Sequence, residues 1–541
     1  MQKFTYFNFE SRLKFPRKFI NFAHFEDSGP NNRQEQLRFR SFMNPIAKHL
    51  LCVVAISAGI VARAQSFNHF VTTDSDRWAV GKAVKAQNVP DCPEVVKTDV
   101  DKPITTFRRW GTTFNEQDWK ALGMLTRDQQ DEILSRAFAP DEELGFSMGR
   151  ISMNANDYAL DWYSCSDVQG DFDLKYFNID RDKLTIIPYI RAAQKYNPDM
   201  TFWMSPWSPP AWMKINNHYA VQSSNHSDLD PRLDHLLFGD DDRSDNEQVN
   251  PDKRQFPRRM AVQSFFIQEP RYLQCYANMF SKFIDLYAEQ GVPIEMVMYQ
   301  NEAYSYTPYP GCPWVSDDII RFNIEYLSPT LKEKNPGVEL CLGTFNTNRY
   351  DHVKGLLSDA RMKDNITGIG FQWEGGQILP KIRAEFPDYR YISTESECGN
   401  GSMDWRAGEH TFHLINHYLG NGCSDYNNWN LILPDRGESR WGWRQNALVR
   451  VNSADRTFEY VPEWYSYRHY SHFIKEGTKI VGFQPTGTEN TPVLTALTAE
   501  GKYVVVAGNF SDEEKKVSVS LAGKYLNVTL APHSFNSFVQ K

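Results

Sequence analysis

From about residue 105 to 450, short runs of apolar and β-branched residues alternate with stretches whose apolar positions recur every three or four residues. The first kind of run reads as a strand, the second as a helix with one face toward a core. Strands are expected at 107–114, 146–153, 201–207, 294–300, 339–345, 366–373, 390–394 and 424–433. Each is followed by an expected helix, at 126–138, 183–196, 272–290, 317–334, 353–362, 378–386, 411–419 and 462–475. Thr126 and Gln129 stand at capping-box spacing at the start of the first helix. Strand and helix units in unbroken succession predict an α/β fold, a parallel (β/α)8 TIM barrel over 106–476. Several of the strand runs are apolar almost throughout, as strands buried on both faces are.

Beyond residue 477 the texture changes. Runs at 493–498, 503–509, 516–521, 526–530 and 534–539 alternate apolar and polar positions, with Gly, Asp, Glu and Pro between them. They predict a small antiparallel β-sandwich over 477–541. Residues 65–105 show no helical period and are expected to add strands to it. The stretch 222–256 is dense in Asp, Asn, Ser and Arg. It falls between the third strand and its helix, which puts it on the βα-loop face as a wall or lid beside a cleft.

The N-terminus has its own pattern. Residues 1–42 carry no period and are not expected to belong to the native protein. Met43 opens a segment with Lys48, an apolar run at 50–61 and the small-x-small ending Ala62, Arg63, Ala64. That is the layout of an export signal over 43–64, cleaved to leave Gln65 first. The run is shorter than the ~20 residues of a spanning helix, and no later segment is long and apolar enough to span. A periplasmic or extracellular protein, acting as a monomer, is expected.

Composition narrows the function. Hydrophobic residues are 41% and charged residues 23% of 541, which suits a large core and excludes a disordered chain. A net charge of −8 leaves no basic excess for phosphates, which argues against a nucleic-acid partner. Aromatic residues at 14% suit either a large core or a cleft where ring faces stack on sugars. Without Cys52 the remaining cysteines are Cys92, Cys165, Cys275, Cys312, Cys341, Cys398 and Cys423, at spacings that fit no zinc pattern but leave room for one or two disulfides. No histidine closes strands five or six, so a metal-dependent hydrolase is disfavoured and no metal or other cofactor is expected.

In a barrel of this kind the chemistry sits where the strands end. The second expected strand ends at Arg150 and leads to Asp157. The third ends among Trp203, Ser205, Trp207 and Trp212, and the fourth at Asn301 and Glu302. The sixth ends at Gln372, Trp373 and Glu374, the seventh at Glu395 with Glu397 close behind, and the eighth carries Trp429 and Asn430. Glu302 and Glu395 close strands three apart and so face each other across the mouth, ringed by Trp207, Trp373 and Trp429. Paired carboxylates flanking a site are what glycoside hydrolysis requires. The charge of Glu395 is expected to raise the Glu302 pKa. A sugar-binding protein without catalysis is the competing reading, and the presence of both carboxylates argues against it.

Asn301 with Glu302, Thr394 with Glu395, the stretch from Ser205 to Trp212, and Trp429 with Asn430 make the chain, over roughly 105–541, resemble glycoside hydrolase family 30. That family holds lysosomal glucosylceramidase, microbial β-1,6-glucanases and related β-xylosidases. The resemblance implies that Glu302 is the general acid/base and Glu395, not its neighbour Glu397, the nucleophile of a retaining hydrolase. It implies that Asn301 bonds the sugar 2-hydroxyl, that Arg150, Asp157, Trp207 and Trp429 hold the glycone, and that Arg150 orients Glu395. Gln372, Trp373 and Asn430 are further expected substrate contacts. The chain departs from the glucosylceramidase pattern His-Trp-Tyr, reading Gln372, Trp373, Glu374, and it adds the polar insertion. Both changes touch the leaving-group side and weaken the case for ceramide as the leaving group; a β-glucan or oligosaccharide, β-1,6-glucan first, is expected ahead of a glucosylceramidase-like or β-xylosidase activity.

Overall fold

The computed structural model describes residues 65–233, 263–396, 398–487 and 489–541. The expected export signal, residues 1–42, Glu397 and residues 234–256 of the insertion lie outside the described residues.

The strands Arg109–Thr113 (β1), Met148–Met153 (β2), Thr201–Pro206 (β3), Ile294–Met298 (β4), Glu339–Phe345 (β5), Gly368–Gln372 (β6), Arg390–Glu395 (β7) and Cys423–Asn428 (β8) form one closed barrel in chain order. Each neighbouring pair is parallel, and β8 closes on β1 with Tyr426 opposite Trp110 and Asn428 opposite Thr112. The expected TIM barrel is therefore the observed one. Its interior is filled by Met148, Trp203, Met296, Met298, Cys341 and Ile392, so it is a packed core and its working surface is the rim where strands end. A larger apolar layer lies between strands and helices.

Local sequence explains the helix ends. Thr126 and Gln129 form a reciprocal capping box ahead of Arg127–Phe138, satisfying amides that the first turn leaves unpaired. The helix expected over 317–334 comes in three pieces, Ser316–Arg321, a wider π-type turn Phe322–Leu327, and Ser328–Lys334. Pro329, which has no amide hydrogen to donate, stands at the start of the last piece.

The eighth strand is shorter than its apolar run suggested. It ends at Asn428, where the side-chain amide donates to the Asn430 carbonyl at 2.8 Å and turns the chain. Ile432–Pro434 then starts a separate three-stranded sheet with Val449–Asn452 and Thr457–Tyr460.

The remaining strands make two facing sheets. Ser66–Thr72, Ala79–Lys85 and Thr105–Thr106 join four C-terminal strands in a seven-stranded sheet, with Ser66–Thr72 pairing Ser534–Gln540. Lys515–Leu521 and Lys524–Leu530 make the other sheet with Val95–Val96, which runs parallel to its neighbour, so the sandwich is not wholly antiparallel. Val505, Val519, Leu526 and Phe538 fill the space between. The described cysteines are all free thiols, so the expected room for disulfides is not used among them. A core this large does not need them.

Candidate active site

Six strands deliver polar side chains to one point on the rim. Arg150 lies in β2 with its side chain wholly buried. Its Nη1 donates to Glu395 Oε2 at 2.6 Å, and its Nη2 to Asn301 Oδ1 at 2.7 Å and Ser205 Oγ at 3.0 Å. Gln372, the last residue of β6, approaches the same groups. Its Nε2 donates to Asn301 Oδ1 at 2.6 Å, to Thr344 Oγ1 at 2.9 Å and to Glu395 Oε2 at 3.1 Å. One oxygen of Glu395 is thus held by a cation and by an amide. Its other oxygen, Oε1, has the weak thiol donor of Cys398 at 3.8 Å.

Glu302 follows β4 and is half-buried. Its backbone is left-handed, with φ of 45°, a conformation that costs an ordinary residue ~1–2 kcal/mol. Neighbours hold it there. The Asn301 amide donates to the Pro206 carbonyl at 2.7 Å, and the Glu302 amide to Thr344 Oγ1 at 3.3 Å. Ser305 Oγ donates to Glu302 Oε2 at 2.6 Å and Asn346 Nδ2 to Oε1 at 2.9 Å.

The aromatic residues divide. Trp207 and Trp429 stack with centroids 5.1 Å apart, and the Arg150 guanidinium lies 4.3 Å from the first ring and 5.5 Å from the second. The Trp207 indole donates to Asp157, which sits buried beside this stack. Trp373 does not join it; that ring is half-buried against the helical layer. Asn430 is also set back. It donates to Gln445 at 3.0 Å and accepts from Asn115 at 3.0 Å, and so braces the turn that carries Trp429. Trp429 donates to the same Gln445 oxygen at 2.7 Å.

Three acids share this site with one guanidinium. Burial raises Asp157 to about 7 and raises Glu395 as well, and the charge of Glu302, where that group is ionised, adds to both shifts. Arg150 works in the opposite direction on each. Glu302 is raised too, with burial the leading cause, and the repulsion between the two carboxyls that the sequence suggested is a property of the pair. The carboxylate touching Arg150 at 2.6 Å is the one whose ionised form the cation stabilises most. Arg150 thus favours the anion on Glu395 against its burial, while Glu302 has only neutral donors in contact and is the one left to carry the proton. Among the described residues no group of three or more metal-ligating side chains is placed to hold an ion.

Thr344, Asn346 and Ser305 were not singled out from the sequence, yet they fix Asn301 and Glu302. Thr344 and Asn346 stand at the end of β5, and the strand-end rule that found the other residues applies to them equally. Gln445 comes from the turn region after β8 and had no such signal.

A profile described as the glycosyl hydrolase family 30 TIM-barrel domain matches residues 107–228 and 267–474. Putative glucosylceramidase 2 of Caenorhabditis elegans is 26% identical over 402 residues, covering 70% of this chain and 69% of that one. An endo-1,6-β-D-glucanase of Trichoderma harzianum is 25% identical over 419 residues, covering 74% of each. Among solved structures, an endo-β1,6-glucanase matches with a TM-score of 0.69 at 20% identity, covering 88% of this chain and 98% of that one, a likeness of fold.

Proposed function

The chain belongs to glycosyl hydrolase family 30 and is a glycoside hydrolase, and from that premise we propose that it is an exported retaining β-glucosidic hydrolase acting on β-1,6-linked glucan or its oligosaccharides. The observation that carries the mechanism is the double hold on Glu395 Oε2 by Arg150 and Gln372, which leaves Oε1 to attack. Glu395 Oε1 bonds to the anomeric carbon as the glycosidic C–O bond breaks. Glu302 gives its proton to the departing oxygen. A water then attacks the glycosyl-enzyme, Glu302 takes its proton, Glu395 is released, and the sugar leaves with its β configuration. Asn301 Oδ1 accepts from Arg150, Gln372 and Thr344, so its Nδ2 is the group available to a sugar hydroxyl. Trp207, Trp429 and Asp157 hold the glycone.

The glucan reading is favoured over a lipid leaving group by Glu374. This half-buried acid accepts from Asn348 at 3.1 Å, and its amide donates to Asn346, the residue that bonds Glu302. A carboxylate one residue removed from the acid/base suits a hydroxylated leaving group better than an acyl chain. The relatives named above also include an endo-1,6-glucanase. The test is a screen of the protein lacking residues 1–64 on pustulan, laminarin, xylan, glucosylceramide and nitrophenyl β-glycosides. Turnover of pustulan and of the β-glucoside is expected; turnover confined to xylan or to glucosylceramide would overturn the substrate assignment. Export predicts a mature N-terminus at Gln65 in the native host, and retention of residues 43–64 would contradict it.

A further inference from the structure

Exposure is distributed unevenly around the two acids. Trp207 and Trp429 are each 2% exposed, Asp157 5% and Glu395 6%, and Arg150 and Gln372 are sealed. On the other side Glu302, Asn346, Trp373 and Glu374 are all half-exposed. The site therefore opens toward the acid/base and is closed behind the tryptophan stack.

What closes it is the excursion after β8. Tyr158, edge-on to Trp429, donates its hydroxyl to the Gly437 carbonyl at 2.7 Å. Trp429 donates to Gln445 on the far limb of the same excursion. Trp443 meets Tyr309, from the loop after β4, edge-to-face at 6.1 Å, and both rings pack on the cluster that contains Trp207 and Trp429. Two loops from opposite sides of the barrel thus meet over the glycone end. At that end Asp157 presents a buried carboxylate, an acceptor suited to free hydroxyls and not to a further glycosidic link.

Resting on the reading of the site as a β-glycosidase, we propose that the glycone side is a blind pocket for one unsubstituted terminal sugar, so that the enzyme removes single units from the non-reducing end. The wall formed by Trp443, Tyr309 and Tyr158 excludes a preceding sugar.

The experiment compares pairs of substrates that differ only at the non-reducing end. One pair is β-1,6-linked glucotetraose labelled at its reducing end, with and without a 4,6-O-ethylidene block on the terminal sugar. The other is the nitrophenyl monoglycoside of whichever sugar the protein hydrolyses, free and blocked in the same way. Early product from the free tetraose should be the labelled trisaccharide and glucose. Both blocked substrates should be cleaved at least 100-fold more slowly than their partners. Early labelled mono- or disaccharide, or equal rates on blocked and free aryl glycosides, would overturn the blind pocket. If the tetraose resists while an aryl glycoside is cleaved, the linkage assignment fails and the aryl pair still decides the pocket. A Trp443→Ala variant with unchanged Tm should narrow the gap between blocked and free substrates; an unaltered ratio would remove Trp443 from the wall.

Discussion

At Glu395 the two carboxylate oxygens have different surroundings, and at Glu302 the two donors are a hydroxyl and an amide. The two acids should therefore fail differently. Glu302→Ala should keep the first step for dinitrophenyl glycosides, whose leaving group needs no proton, and lose ~10²–10⁴-fold in kcat through slow deglycosylation. Added azide should restore turnover and give the β-glycosyl azide; an α-azide from this variant would mean the roles are reversed. The two carboxyls repel when both are ionised. Glu302→Gln has no second ionisation, so the basic limb of glycosylation of an activated glycoside should disappear while the acid limb, set by Glu395, stays. A basic limb that persists would show that Glu302 is not the proton carrier. Gln372→Ala strips a donor from Asn301, Thr344 and Glu395 at once. A lost bond to a charged group is worth ~1.5–3 kcal/mol, so kcat should fall roughly 10- to 100-fold with KM little changed. Arg150, Glu302, Glu395 and Gln372 were legible in the sequence because strand ends are where a barrel puts its chemistry. Thr344 stands at a strand end too and went unread because a neutral hydroxyl carries neither charge nor ring to mark it; it acts by bonding Asn301, Gln372 and the Glu302 amide.

The elements were legible where the sequence states its own punctuation. The capping box at Thr126 marks a helix start that the structure reproduces. The run at 424–433 carries no such mark, and the turn at Asn428 comes from a side chain bonding the backbone two residues on. With that turn the whole excursion 432–460 was hidden, and with it the loop that closes the glycone end. The helix that follows, Pro462–Ser471, buries Glu463, whose Oε1 accepts from Asn446 at 2.6 Å. Burial raises this carboxyl to about 8. The folded form holds its proton, while the unfolded chain ionises near ~4.3. Wild-type stability from this group is present at low pH and is lost as pH rises toward 8. Glu463→Gln does not titrate, so its Tm relative to wild type should rise between pH 5 and pH 8. A difference independent of pH would show that Glu463 is not held protonated.

On the scale of the whole molecule, strand content was legible but pairing was not. Residues 65–105 read as strands, yet nothing local says that Ser66–Thr72 lies against Ser534–Gln540, at the other end of the chain. That pairing is fixed by a shared core and by ties to the barrel. His469, buried on the helix Pro462–Ser471, bonds Ser537 at 2.7 Å and Thr72 at 2.9 Å, joining both ends of the sandwich to the barrel wall. Its position, like the loop closure over Trp429, depends on chain segments hundreds of residues apart meeting, which short-range pattern does not encode.

In the double displacement Glu395 becomes covalently glycosylated while Glu302 handles the protons. Incubating the protein with the 2-deoxy-2-fluoro dinitrophenyl β-glycoside of the sugar it hydrolyses, and mapping the trapped sugar by peptide mass spectrometry, decides this. Inactivation with one fluoroglycosyl group on Glu395 is expected. A label on Glu302 or Glu397, or steady turnover with none, would contradict it.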